Sequence, residues 1–443
     1  VSAPVRPFPL LALAALLSAG CNRYAMFNVA GYEQATFSND ADILFVVDNS
    51  ASMAEETSAL ALNFNVFIDT LASAQGATPA TETLSDAVDN YVVYTSQRGK
   101  FLDYNLALTT TSVDYAGGVT PDVDDGEAGL LLGDPKVVAK GTAGESDLFR
   151  RNLLCDAIPW NSSDLPSDPS YTCGADPGGV ITQEYLDCEC GLGEWENDSG
   201  SGQEEPLEAA LMALCRSVEE PPEACYDPLS PFAGSESQKN EGFLREEGTV
   251  VVVVVTDEGD NSRRLPQGEA DPQPYLDALA DFPKPVKLVA IGPNWDPAAG
   301  EVKCASTAVP TWSVDRLQSV AAITGGFYKP IAVEGASGDC EPSNFAEHLE
   351  DLGALLQNLT TAFQLQSIPD IGTIRVWVDD EEIDTAPILN ADVEDQEPIY
   401  GDGWTYDSAQ NAIVFWGKAI PDYNAEVRIY YRPLEGKPRE LPF

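Results

Sequence analysis

The sequence predicts a doubly wound, Rossmann-type α/β domain with a mostly parallel sheet and a disulfide-rich insertion, followed by a small C-terminal all-β domain. Three observations carry that expectation. Ile43-Leu44-Phe45-Val46-Val47 and the six valines Val250 to Val255 are continuous β-rich apolar runs, the mark of strands buried on both faces of a parallel sheet. Around them, strand-like runs alternate with segments of helical period as far as Phe363, as in βα units. After Ser367-Ile368-Pro369 the period changes to two and no helical stretch follows.

Taken in order, Ile43 to Val47 is the first strand. Leu60, Phe64, Phe67 and Leu71 then share one helical face, and Ser52 with Glu55 has the spacing of a capping box. Residues 73 to 100 are rich in Thr, Ala and Asp and read as a loop or insertion. Leu106, Leu108 and Thr110 alternate in a strand from Asn105 to Ser112. Gly129 to Gly133 is expected to begin an edge strand. Residues 150 to 200 set four cysteines among Pro, Gly, Ser and Asp and read as a disulfide-tied excursion outside the core. Leu207 to Val218 is a helix, the valine run the central strand, and 274 to 282 a short helix. Val286 to Ile291 is a strand, Val314 to Ile323 a helix, Gly326 to Ile331 a short strand, and Phe345 to Phe363 a long amphipathic helix. Beyond it, Ile374, Val376 and Val378 alternate, as do Val427, Ile429 and Tyr431, with Trp404-Thr405-Tyr406 and Ile413-Val414-Phe415 between them. This is the pattern of a small sandwich.

Composition narrows the partners. The 443 residues are 44% hydrophobic, enough for a sizeable core. The 72 acidic residues against 24 basic give a formal charge of −48, which repels nucleic acid and anionic lipid surfaces and attracts divalent cations. Acidity also keeps an exported protein soluble, the plainer reason for it.

The first residues read as an export signal. Arg6 precedes an apolar run from Leu10 to Ala19 that is too short to span a bilayer as a helix. Leu17-Ser18-Ala19-Gly20-Cys21 resembles a bacterial lipobox, which implies a lipoprotein signal peptide over 1–20, lipidation of Cys21 and a tether over 21–40. Asn22 is not the aspartate that marks inner-membrane retention in some bacteria, so the expected address is the outer membrane of a bacterial cell envelope. A cleaved signal followed by an unrelated cysteine is the other reading. Nine cysteines less Cys21 leave Cys155, Cys173, Cys188, Cys190, Cys215, Cys225, Cys304 and Cys340, an even number in an exported chain and hence a disulfide framework. Cys304 with Cys340 is the one expected pair, since both lie apart from the other six. Zinc is the rival reading, but Cys188-Glu189-Cys190 lacks the gap of a zinc knuckle and the one histidine, His348, is distant in sequence.

Asp48-Asn49-Ser50-Ala51-Ser52 directly follows the first strand. One carboxylate and two hydroxyls at alternate positions suit a hard cation such as Mg²⁺, which wants few carboxylates, neutral oxygens and some water. Ligands of open α/β sheets sit beyond the carboxyl ends of the strands, and Val255-Thr256-Asp257-Glu258-Gly259 leaves the valine strand at that end. The Asp-x-Ser-x-Ser pattern resembles the metal-ion-dependent adhesion site of von Willebrand factor A (vWA) domains, and the order of elements over about residues 40 to 365 is similar to that fold. The resemblance implies a vWA-like domain over 41–366, enlarged by a Cys-rich insertion at about 150–235, with the β domain at 367–443. It implies Asp48, Ser50, Ser52 and Asp257 as ligands of Mg²⁺, or of Mn²⁺ or Ca²⁺. It also implies a hydroxyl from a Gly-rich loop before a helix, here Ser201 of Ser199-Gly200-Ser201-Gly202. The family's Gly-Thr signature is absent, and Ser199 or Thr110 are alternatives. Helix capping and turn formation are the blander roles for Ser52, Asp48 and Asp257. Asp122, Asp124, Asp125 and Glu127 lack EF-hand spacing and read as a solvated acidic turn. Glu258 and Asp260 are expected to shape the loop without ligation.

In vWA proteins a partner's acidic side chain takes the open metal position. The expected function is therefore a lipid-anchored adhesion or scaffold protein that binds a protein partner and touches the membrane through its anchor alone. It is not expected to be an enzyme: no Gly-x-Ser-x-Gly elbow or His-Glu-x-x-His motif occurs, and His348 among Glu347 and Glu350 reads as a surface residue. A passive envelope protein with a loop-stabilising metal, or a metal-dependent hydrolase, are the alternatives.

Overall fold

A computed structural model describes residues 33–36 and most of 40–67, 103–113 and 127–434; the segments 1–32, 68–102, 114–126, 196–199, 201–203, 227–238 and 390–399 are among those it leaves out. The expected signal peptide, Cys21 and the stretch 73–100 therefore lie outside the described residues. The chain divides into two units, one of residues 38–362 and one joining residues 1–37 to nearly all of 363–443. A first strand, β1 (Glu33–Thr36), falls in the second unit although it precedes the first in sequence.

The first unit opens with β2 (Asp40–Val47), followed by β3 (Asp103–Thr110) and β4 (Val137–Ala139). Helices α1 (Glu145–Asn152), α2 (Gln183–Glu189) and α3 (Pro206–Cys215) come next. Strand β5 (Thr249–Val255), helix α4 (Gln273–Ala280) and strand β6 (Val286–Gly292) continue the alternation. A hairpin of β7 (Asn294–Asp296) and β8 (Glu301–Lys303) leads to α5 (Thr311–Thr324) and β9 (Tyr328–Pro330). A second hairpin, β10 (Ala332–Glu334) with β11 (Cys340–Pro342), precedes α6 (Phe345–Thr361).

Six strands form one sheet in the order β4-β3-β2-β5-β6-β9. Every neighbouring pair is parallel except β3 with β4. The valine strand lies inside this sheet because β-branched side chains suit a pleat covered on both faces. Val251, Val253 and Val255 join Ile43, Phe45 and Val47 in the core on one face, while Val250, Val252 and Val254 join Leu44 and Val46 on the other. Described residues between 56 and 67 are helical and bury Leu60, Phe64 and Phe67 on the first face. Helix α3 is buried along its whole length on the second face, as an all-round apolar helix must be.

Two expectations are corrected. The edge strand is β4, not residues 129–133. Gly129 has φ 78°, and a Cβ there would stand 2.3 Å from the backbone nitrogen of Ala213, so this stretch is a close crossing over α3 instead of an extended edge. The Cys-rich segment is also no excursion. Leu153, Leu154, Ile158, Trp160, Ile181, Tyr185 and Leu186 are buried in the core of the first face; the surrounding Pro, Gly and Asp hid these spaced apolar residues from a reading by composition.

All eight of these cysteines are paired: Cys155 with Cys190, Cys173 with Cys188, Cys215 with Cys225, and Cys304 with Cys340 as expected. Cys188 and Cys190 are thus closed to zinc. The Cys215–Cys225 bond spans 10 residues and leaves the end of buried α3. Replacing both by Ala is expected to cost about 2–3 kcal/mol through lost loop closure, read as a lower urea midpoint with an unchanged fold by circular dichroism.

The second unit contains β12 (Ala362–Gln364), β13 (Arg375–Val378), β14 (Glu381–Ile383), β15 (Gly403–Asp407), β16 (Ala412–Trp416) and β17 (Val427–Tyr431). They form two sheets, β1-β17-β13-β14 and β12-β16-β15. Phe363, Trp404, Ile413 and Phe415 share one core with Val376, Val427, Ile429 and Tyr431. Glu33 pairs with Tyr431 and Thr36 with Arg428, antiparallel. Part of the expected tether at 21–40 thus supplies a strand of this unit. No helix among the described residues is long and apolar enough to cross a membrane.

Candidate metal centre

The sheet places its functional end by topology. From β2 the chain moves outward to β3, and from β5 it moves the other way to β6. The boundary between β2 and β5 is therefore the switch point, where open α/β sheets leave a crevice beyond the strand ends. Val47 is in register with Val255, so the next residues of both strands enter that crevice together. The Asp48 amide donates to the Val255 carbonyl at 2.9 Å, and the Thr256 amide to the Ile291 carbonyl at 3.0 Å.

Four of the five predicted ligands meet there. Asp48 is fully buried; one of its oxygens accepts from the Ser50 amide at 2.8 Å and the other from the Thr256 hydroxyl at 2.6 Å. The Ser50 and Ser52 hydroxyl oxygens are 3.1 Å apart, and the Ser52 hydroxyl donates to an Asp257 carboxylate oxygen at 3.3 Å. Ligand oxygens about 2.1 Å from a small divalent ion in an octahedron stand about 3.0 Å from one another, so this row of oxygens matches one side of such a shell. Ser52 is exposed while Asp48 is buried, which gives the set an inner and an outer end. Among the described residues, no three His, Cys, Asp or Glu side chains close on one point, so the serine hydroxyls are integral members of any ligand set. The donors present, carboxylates and hydroxyls, fit a hard cation.

The electrostatics agree with that chemistry. Burial pushes the Asp48 carboxyl up to about 7, the charge of Asp257 adds to this, and the Thr256 and Ser50 hydrogen bonds oppose it. A cation would relieve both unfavourable contributions at once.

The sequence reading missed Glu204. Its side chain is buried, no amide, hydroxyl or cationic donor reaches either carboxylate oxygen, and its carboxyl meets that of Glu258. Burial, the charge of Asp48 and the carboxyl of Glu258 raise it to about 10. Backbone bonds fix its place: the Asn261 amide donates to the Glu204 carbonyl at 2.9 Å, and the Glu205 amide donates to the Thr111 carbonyl at 3.1 Å. Glu204 is thereby held between the tip of β3 and the loop that follows Asp257. The Thr111 hydroxyl is likewise buried without a hydrogen bond. The available signal was the segment leading into α3, which was expected to contribute a hydroxyl and contributes a carboxyl at Glu204 as well.

The surrounding loops are tied by charge. Asp260 accepts from the Leu207 amide at 3.1 Å and Ser262 from the Glu208 amide at 3.2 Å, so the loop after β5 caps the start of α3 from outside. Arg263 bonds Glu205 at 2.8 Å, Arg264 bonds Glu208 at 2.8 and 3.0 Å, and Arg316 of α5 bonds Asp260 at 3.3 Å. Asp260 thus shapes the loop, as its position suggested. Gly200 is required where the chain passes Asn49: its amide donates to the Asn49 carbonyl at 2.9 Å, and a Cβ would lie 2.3 Å from the Asn49 side chain.

Ser201, the fifth predicted ligand, lies outside the described residues, as do Ser199, Asp122, Asp124 and Asp125. Thr110 is committed elsewhere, donating to the Glu127 carboxylate. His348 is buried, not a surface residue; its ring nitrogen Nε2 is 3.0 Å from the Pro330 carbonyl. It shares the inner face of α6 with Phe345 and Leu352, while the flanking acids Glu347 and Glu350 are exposed on the outer face.

Fold and site together define an α/β protein with an acidic and hydroxyl-rich side-chain cluster at its sheet's switch point. No protein-family model matches the chain, and no curated protein matches it. Solved structures overlap it loosely. A von Willebrand factor type A protein from Catenulispora acidiphila is 12% identical with a TM-score of 0.28, over 92% of this chain and 62% of that one. The human COPII-coat protein Sec24c is 10% identical with a TM-score of 0.30, over 91% of this chain and 41% of its own. Three N-terminal domains of the type V pili tip protein Mfa5 from Porphyromonas gingivalis are 10% identical with a TM-score of 0.20, over 90% and 64%. The chain thus spans less than two thirds of each.

Proposed function

We propose that this chain is a metal-dependent binding protein of the vWA type, with Asp48, Ser50, Ser52 and Asp257 holding a divalent ion. The observation that supports it most is the continuous row of Ser50, Ser52 and Asp257 oxygens beside buried Asp48 at the switch point. When bound, the ion supplies a Lewis-acidic corner for an acidic side chain of a protein partner. The residues do the rest. Asp48 and Asp257 supply charge, and the serine hydroxyls supply neutral donors that leave the ion partly positive. Thr256 fixes the Asp48 carboxylate in place. The exposed Ser52 end faces the partner.

In this reading Cys21 carries a lipid and anchors the protein in a bacterial envelope, in the outer membrane. The chain binds and does not catalyse. A purely loop-stabilising metal is less well supported, because ion pairs from Arg263, Arg264 and Arg316 to buried carboxylates already hold these loops. Calorimetry checks the metal: Mg²⁺, Mn²⁺ or Ca²⁺ titrated into the native chain gives binding heat that Asp48→Ala abolishes. Equal heats for the two chains would defeat the reading. Capture of a partner from envelope extracts, lost on adding EDTA, is the expected second result.

A further inference from the structure

We propose that Glu204 is an additional protein ligand of this ion and that it makes the centre prefer Ca²⁺ over Mg²⁺. The inference rests on the metal-binding reading above. A buried carboxyl that no amide, hydroxyl or cationic donor reaches, and that meets only another carboxyl, is a rare and costly feature. Here it occurs beside the predicted ligands, held by backbone bonds to Asn261 and through Glu205 to Thr111. The segment before α3 is the one expected to contribute a hydroxyl; the buried side chain found there brings a negative charge instead. Glu258 of the loop after β5 lies against it. Two carboxyl groups in contact have no donor between them unless one carries a proton, so a shared proton or a cation must stand between them. Among the described residues no three acidic side chains meet at one point, so ligation by Glu204 requires its carboxylate to swing onto the ion beside Asp48 and Asp257.

Charge count then selects the ion. Asp48, Asp257 and Glu204 are three carboxylates, joined by the Ser50 and Ser52 hydroxyls. Mg²⁺ keeps several waters and is usually held by one or two carboxylates, whereas Ca²⁺ takes six to eight oxygens and tightens as carboxylates are added. A protein shell of five or more oxygens with three charges belongs to the second kind.

The test is calorimetry of the native chain and Glu204→Gln with Ca²⁺ and Mg²⁺ separately, each after EDTA treatment and dialysis. The native chain is expected to bind Ca²⁺ at least on the order of tenfold tighter than Mg²⁺. Glu204→Gln should lose on the order of tenfold or more in Ca²⁺ affinity and most of the preference. A thermal melt in EDTA accompanies it, with Glu204→Gln expected near the native melting temperature, since burial keeps the metal-free Glu204 carboxyl uncharged and Gln is neutral too. Equal Ca²⁺ affinity in the two chains, or a native preference for Mg²⁺, overturns the proposal while leaving a metal site standing. Absence of heat with every ion in the native chain defeats the metal-binding reading itself, and this proposal with it.

Discussion

Asp48→Asn is expected to raise the melting temperature of the metal-free protein and to lower that of the metal-loaded protein. The first half follows from burial. Asp48 is fully buried, and its carboxyl is pushed up to about 7 from an ordinary value of 3.8, first by desolvation. Above neutral pH the metal-free fold must keep this group ionised against that preference, at a cost on the order of 4 kcal/mol. Asn keeps the volume and one oxygen acceptor but carries no charge. The second half follows from ligation. An ion present at about a hundred times its dissociation constant stabilises the native chain by about 2.7 kcal/mol, and Asn forfeits most of that. The two melting curves therefore exchange order when metal is added. The pH dependence has a definite sign. Between about pH 4 and 7 native Asp48 holds a proton that the unfolded chain has released, so stability of the metal-free native protein falls as pH rises through that window. The Asn variant lacks that component of the slope, and its advantage in EDTA is greatest above pH 7. Differential scanning calorimetry at several pH values, with EDTA and with metal, reads all of this; parallel curves with no exchange of order would show that Asp48 carries no ion.

The sheet was legible because its strands have one physical requirement. A run such as Val250 to Val255 can be satisfied in few ways, and burial on both faces of a parallel sheet is the chief one. Register then followed from topology: Val47 aligned with Val255 brings Asp48 and Asp257 to one crevice though they are 209 positions apart in sequence. What escaped the sequence was of two kinds. The first is burial by tertiary context. Leu153, Trp160 and Leu186 lie among Pro, Gly and Asp yet are core residues, and His348 is drawn inward by the face it shares with Phe345 and Leu352. Local composition averages over such positions. The second is a polar group whose meaning depends on what is missing around it. Glu204 is one of 72 acidic residues, and only a folded environment shows that its two oxygens find no donor. Pairing of Glu33–Thr36 with the far end of the chain is also invisible locally, since a four-residue strand carries too little period to register.

Arg316→Met is expected to destabilise the protein by about 3–5 kcal/mol and to weaken metal binding without touching any ligand. Arg316 is a completely buried arginine on α5. Its guanidinium donates to the Asp260 carboxylate at 3.3 Å and to the carbonyls of Asp260 at 3.0 Å, Pro266 at 2.8 Å and Glu269 at 2.7 Å. It also stacks 4.5 Å from the Trp312 ring. Met fills similar volume but leaves Asp260 buried without its counter-charge and takes a donor away from three carbonyls, which is the expensive way to break a buried pair. Desolvation already holds the Asp260 carboxyl up at about 6 against the pull of Ser262 and Arg316; without Arg316 it rises further. Asp260 in turn caps α3 through the Leu207 amide and lies three residues after Asp257, so its displacement moves both Asp257 and the Glu204 segment. Loss of such a supporting contact costs metal sites on the order of ten- to a hundredfold in affinity. Adding Asp260→Asn removes the stranded charge while keeping an acceptor for the Leu207 amide, and the double variant is expected to recover part of the stability lost by Arg316→Met. Urea unfolding of the native chain, both single variants and the double variant yields the coupling directly. A coupling near zero would mean that the arginine packs on the loop without governing it, and metal affinity should then be unchanged in all four chains.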